Sequence, residues 1–223
     1  MKRFIILVLL MALAVVGRGQ AQSGEVILGV KGGHSGPFGP FAAVNVQARY
    51  AAAKYFALRG GAQYNTIARA TAEVRPQYFH DFDFGRVDAE ILFNYTYQSH
   101  LSSYAVGCGA TLDILHIWAT LGYYLRTMTM ASDKISEPFN IYYELGIRCL
   151  PKSEKWDLNV ILTNSQLFEL ERHYQPSFAV EGWWYPLERL GVQAGVNYKP
   201  AGMFNITSDY YQFYANVGVC YRW

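Results

Sequence analysis

From about residue 25 to its last residue the chain alternates apolar and polar positions with a period of two, the pattern of strands with two unlike faces. No stretch carries a 3.6-residue period of comparable strength. Alternating runs bounded by Gly, Pro, Asn and Asp predict strands at 25–32, 41–50, 55–65, 72–80, 86–97, 103–112, 117–127, 139–149, 156–164, 177–185, 189–198 and 210–223. That is twelve strands, or ten if the region around 65–80 forms no separate pair. The links "AAAK" (51–54) and "PLE" (186–188) are short. "HSGPFGP" (34–40), "MASDKISEP" (130–138) and "KPAGMFNITSD" (199–209) are longer, so short and long connections tend to alternate. Without a linker or low-complexity tract, residues 22–223 read as a single all-β domain.

Each strand splits by parity into two faces. In the last one Tyr211, Phe213, Ala215, Val217, Val219, Tyr221 and Trp223 oppose Gln212, Tyr214, Asn216, Gly218, Cys220 and Arg222. Across all twelve strands the apolar face carries no charge. The polar face carries the cations Lys31, Arg49, Arg59, Arg75, Arg86, Arg126, Arg148, Arg189 and Arg222. It also carries the acids Glu25, Glu73, Asp88, Glu90, Asp113, Glu144, Asp157 and Glu181.

Alternation does not say which face is inside, since a soluble barrel with an apolar interior shows the same stripe. Three features favour charges inward. The charged face is rich in glycine (Gly29, Gly61, Gly107, Gly109, Gly122, Gly146, Gly191, Gly195, Gly218), which suits a crowded lumen that must house arginines. Tyrosines and a tryptophan on the apolar face gather near strand ends (Tyr50, Tyr64, Tyr95, Tyr97, Tyr104, Tyr198, Tyr211, Tyr221, Trp223), as in the aromatic girdles of membrane barrels. An even strand count with alternating turn lengths suits closure.

The N-terminus agrees. Lys2 and Arg3 precede an apolar run from Phe4 to Val16, and small residues follow at Gly19 and Ala21. The run is shorter than the roughly 17–25 residues of a spanning helix. It predicts an export signal at 1–21, cleaved after Ala21. Without Lys2, Arg3 and Arg18, the 19 cations and 17 acids become 16 and 17, net −1. Nothing in that balance suggests nucleic-acid binding. With 18 Tyr, 13 Phe, 5 Trp and 20 Gly the composition favours strands and tight bends.

The leader, the period-two alternation and the terminal "CYRW" together resemble the small outer-membrane β-barrel proteins of Gram-negative bacteria. The resemblance implies an antiparallel up-and-down transmembrane barrel with both termini periplasmic. It implies outer-membrane lipids as surroundings, and Val219, Tyr221 and Trp223 as the signal read by the barrel assembly machinery.

Candidate chemistry is sparse. His100 and Ser102 form an H-x-S on the apolar parity at the loop end of the sixth strand. The pair resembles that of outer-membrane lipid A deacylases and the outer-membrane phospholipase, in which the imidazole would deprotonate the serine for attack on an ester. Those enzymes have Asn after the serine, whereas this chain has Ser103, and the neighbouring "RTMTM" offers no acid to orient His100. His80, Asp81 and Asp83 in "HDFD" have metal-binding chemistry but fall at the short periplasmic turn predicted after the strand at 72–80, where such residues are common. His34 falls in a Gly/Pro loop, and Asn94 and Asn205 head accidental N-x-T triplets, with Asn94 facing the lumen. Cys108 and Cys149 take the lipid-facing parity and Cys220 the lumen parity, so three free thiols are expected. No cofactor motif stands out.

These readings predict a non-enzymatic barrel, structural or a narrow small-solute channel. Its lumen is crossed by a charge network of Arg49, Arg59, Glu73, Arg75, Arg86, Asp88, Glu90, Arg126, Glu144, Arg148, Glu181, Arg189 and Arg222. Near-balance of the two signs favours interlocked pairs over a wide pore selective for one ion sign. A lipid hydrolase using His100 and Ser102, and a soluble exported lipocalin-like barrel, are the alternatives.

Overall fold

The structure is a computed structural model. It describes residues 23–36, 39–66, 69–98, 101–130, 133–151, 153, 155–166, 169–170, 176–200 and 212–223. Twelve antiparallel strands close into one barrel in the order β1-β14-β13-β12-β9-β8-β7-β6-β5-β4-β3-β2, and β10 and β11 form a separate two-stranded hairpin. The first seven strands are β1 (Ser23–Ser35), β2 (Gly39–Ala53), β3 (Phe56–Asn65), β4 (Arg69–Phe82), β5 (Gly85–Gln98), β6 (Leu101–Ile114) and β7 (Ile117–Met130). They are followed by β8 (Asp133–Arg148), β9 (Trp156–Thr163), β10 (Ser165–Gln166), β11 (Glu169–Leu170), β12 (Ser177–Trp184), β13 (Leu190–Lys199) and β14 (Gln212–Arg222).

The seam between β1 and β14 runs in register from Glu25–Arg222 to Ser35–Gln212 and leaves neither strand with a free edge. Two further bonds, Gly24 N to Trp223 O at 3.2 Å and Trp223 N to Gly24 O at 3.1 Å, extend it to the last residue. The Trp223 ring lies so close over Gly24 that a β-carbon there has no room.

The two faces divide as parity predicts. Leu28, Val44, Leu121, Leu125, Leu145 and Ile147 are exposed on the outside, while Lys31, Asn45, Gln63, Glu73, Arg75, Glu90, Asn94 and Asn197 are buried inside. A soluble barrel would have these reversed, because exposing this much apolar surface to water is unfavourable. In a bilayer it is the arrangement required. Tyr64, Tyr95, Tyr97, Tyr104 and Tyr198 stand outward near one end, and Tyr221, Trp156, Trp184, Phe82 and Phe84 outward near the other. Tyr211 lies outside the described residues.

The strands run further than their composition predicts. "HSGPFGP" and "MASDKISEP" are largely strand, since His34 pairs with Pro40 and Ser35 with Gly39, while β8 begins at Asp133. A strand end is set by what its neighbour can pair with, which turn-forming residues in one strand do not reveal. Pro138 is accommodated at a bulge: the register shifts between Tyr124 and Arg126, so residues 138–139 oppose Leu125 alone. The shift carries Glu137 inward beside Arg126. Loop lengths therefore do not alternate simply. Two-residue turns (54–55, 83–84, 115–116) join strands at the end holding the termini, and the longest links, 164–176 and 200–211, lie at the other. These are the terminal end and the loop end below.

Candidate functional site

A cavity of about 430 Å³ occupies the lumen towards the terminal end. All eight predicted acids line it, with Arg49, Arg59, Arg75, Arg86, Arg148 and Arg222. Three predicted cations lie elsewhere. Lys31 is buried higher up, its Nζ 4.6 Å from the Tyr214 ring centroid and 5.8 Å from that of Phe41. Arg126 sits near the loop end, 3.9 Å from Glu137 and with Nη2 donating to Tyr124 Oη at 3.3 Å. Arg189 is a correction: it lies in the turn before β13, exposed, because β13 starts at Leu190 and the chain is already leaving the wall.

The most connected group lies at mid-height. Arg75 donates from Nε to Glu73 Oε1 at 2.7 Å and from Nη1 to Glu90 Oε1 at 2.9 Å. Its Nη2 reaches Ser165 Oγ at 3.0 Å, so a β4 side chain spans the lumen to the β10 hairpin beyond β9. Tyr142, on β8, donates to Glu90 Oε1 at 2.9 Å, and its ring faces the Arg75 guanidinium at 5.5 Å. Gln77 donates to Glu90 and Asn94 to Glu73, at 3.1 and 2.9 Å. These polar groups are buried, and each carboxylate in the layer has both oxygens bonded, which is how a low-dielectric site holds charge.

Glycine makes this layer possible, though not as the sequence suggests. Tyr142 lies directly over Gly109 and Gly122, where a β-carbon would collide with its ring. The space that glycine leaves is filled by an aromatic ring rather than by an arginine. Tyr142, Tyr124, Leu92 and Ala105 form a fully buried cluster against this layer.

Nearer the terminal end the pairs are smaller and wetter. Arg148 holds Asp113 through two bonds at 2.6 and 2.8 Å and faces the Trp118 ring at 4.9 Å. Glu144 instead accepts from Trp118 Nε1 at 2.6 Å, so Arg148 pairs with Asp113 rather than with Glu144, and the two meet only through the Trp118 ring. Arg86 bonds Asp88 at 2.9 Å and stacks on Phe79 at 3.6 Å. Arg222 bonds Glu25 at 2.9 Å and also contacts the Tyr185 hydroxyl, closing the seam from inside. Among the described residues Arg49, Arg59, Glu181 and Asp157 make no ion pair.

Ser102 stands on the outward parity with Tyr104, in register with Tyr97 and Thr129. His100 lies outside the described residues. His80 and Asp81 belong to the end of β4 and Asp83 to the following turn, with His80 stacked on Tyr55 at 5.7 Å. Among the described residues no His, Cys, Asp and Glu cluster could hold a metal. His34 belongs to β1 rather than to a loop. Cys108, Cys149 and Cys220 are free, the first two exposed and the third buried.

No protein-family model and no curated protein matches the chain. Solved structures do. The KdgM porin matches at 12% identity over 88% of this chain and 98% of that one, with a TM-score of 0.56. The NanC porin matches at 11% over 87% and 98%, also with a TM-score of 0.56. The translocator domain of autotransporter NalP from Neisseria meningitidis matches at 14% over 100% and 95%, with a TM-score of 0.54. At such identities the likeness is one of architecture: the chain has the fold of outer-membrane β-barrel proteins.

Proposed function

We propose that this chain is an integral outer-membrane barrel, non-enzymatic, exported by the leader at 1–21 and inserted with both termini in the periplasm. Its lumen is a charged vestibule opening towards the periplasm and stopped at mid-height. It serves as a structural barrel or as a restrictive channel for small solutes rather than as a wide pore. The observation that carries this is the cross-lumen layer: Arg75 tied to Ser165 of the β10 hairpin and Tyr142 tied to Glu90. Val219, Tyr221 and Trp223 present their side chains along one face of the last strand, the form the assembly machinery would read. Deleting Tyr221–Trp223 is expected to leave export intact and strand the chain in the periplasm.

Planar-bilayer recording tests the closed lumen. The wild type is expected to show little steady conductance. Arg75→Ala, provided it keeps heat-modifiable gel mobility, is expected to leak. A large steady wild-type current, unchanged in Arg75→Ala, would make the barrel a porin and overturn the reading.

A further inference from the structure

We propose that the vestibule binds a small zwitterion, with its carboxylate on Arg49 and Arg59 and its ammonium group facing Glu144, Asp157 and Glu181. The inference deepens the function above and rests on the charged vestibule described there. It begins with the charges left over after pairing. Four of the six cavity-lining arginines are each held by a carboxylate, and Arg49 and Arg59 are not. These two are direct cross-strand partners on β2 and β3. Arg49 is also in register with Glu25, but that carboxylate is bonded by Arg222 and Tyr185. Like charges directly opposite one another destabilise a sheet, so an anion bridging the two guanidinium groups would relieve the pair. Two adjacent guanidinium forks suit a carboxylate, which accepts paired N–H donors.

The opposite wall carries the complement. Glu144, Asp157 and Glu181 lie on β8, β9 and β12, which are consecutive in the barrel order. Around twelve strands those three stand diametrically across from β2 and β3. No cation bridges any of them among the described residues; Glu144 is held only by the Trp118 indole. Glu181 is within electrostatic reach of the other two acids and of Arg59. The unpaired charges therefore form a field across the recess, positive on one wall and negative on the other. A dianion would direct its second charge at the acidic wall, and a dication would direct one at the arginines. One group of each sign satisfies both. A cavity of about 430 Å³ suits a molecule the size of a short peptide.

The test uses the folded barrel in detergent at low ionic strength, titrated separately with triglycine, succinate and putrescine. Calorimetry reads affinity, and the Trp118 indole N–H resonance reads occupancy beside Glu144. Triglycine is expected to bind saturably, at least tenfold more tightly than the other two, and to shift the Trp118 signal. Arg59→Gln and Glu181→Gln, each still heat-modifiable, should weaken it at least fivefold. Succinate binding as tightly as triglycine and indifferent to Glu181→Gln would overturn the proposal in favour of a plain anion site. Absence of saturable binding by all three in a heat-modifiable wild type would overturn it outright. Conductance on the same preparation separates the two readings: triglycine binding together with a large steady current supports the site while contradicting the closed lumen.

Discussion

The lumen has two halves built on different chemistry. Towards the loop end it is filled by amides, hydroxyls and rings: Asn45, Gln63, Asn65, Thr71, Asn94, Asn197, Tyr124 and Tyr214 are all buried. Its few charges are held within contacts, Lys31 between two rings and Arg126 beside Tyr124 and Glu137. Towards the terminal end the wall is arginine and carboxylate around open space, and the pair of Arg222 and Glu25 keeps side-chain exposures of 45% and 25%. Desolvating a charge costs far more than desolvating a neutral amide. A barrel that closes one half with neutral groups can keep its charges where water reaches them. The layer of Glu73, Arg75 and Glu90 marks the border, where fully bonded charges are deeply buried.

Breaking that border has the largest expected effect. Arg75→Ala leaves Glu73 and Glu90 without their cation and is expected to destabilise the barrel by about 3–5 kcal/mol, read by urea unfolding in lipid vesicles. Adding Glu73→Gln and Glu90→Gln to Arg75→Met should recover much of that loss, because the stranded charges go with it. If the triple variant is no more stable than Arg75→Ala, the loss comes from packing rather than from uncompensated charge.

Tyr142→Phe keeps the ring over Gly109 and Gly122 and removes only the donor to Glu90. A hydrogen bond to a charged group contributes about 1.5–3 kcal/mol, and a loss in or below that range is expected in the same unfolding assay. In the open half the effects shrink. Arg222→Ala breaks a half-exposed pair and should cost about 1 kcal/mol or less. Arg148→Ala and Glu144→Ala should depart from additivity by about 0.5 kcal/mol or more, since both side chains contact Trp118. Strict additivity would mean that the Trp118 ring does not link them.

Much of this architecture was legible in the alternation. Twelve strands and the gathering of the charges on one face follow from parity, because a two-residue period leaves a strand no choice of which residues share a face. The inward direction of that face was legible in the inner glycines and the girdle aromatics, and the β1–β14 seam in the closure they imply. What parity omits is height. Arg75, Tyr142 and Ser165 meet because strand tilt and stagger bring β4, β8 and the β10 hairpin to one level. Nothing in their local sequence records that stagger. Arg189 was read as lumenal because the alternation was carried one residue past the strand. Glu137 was missed because 130–138 was read as a connection, whereas β8 begins at Asp133 and the bulge at Pro138 turns Glu137 inward. Glycines on the inner face were legible as space, but the rings that fill that space come from other strands.

The division of the lumen is most directly tested by thiol accessibility. With Cys108, Cys149 and Cys220 replaced by serine, a single cysteine is placed at Thr120, beside the cavity, or at Thr71, buried in the loop half. Each folded barrel is treated in detergent with a small charged methanethiosulfonate, and labelling is read by intact mass. The account predicts rapid labelling of Thr120→Cys, and labelling of Thr71→Cys only after unfolding. Equal, fast labelling of both in the folded barrel would contradict it.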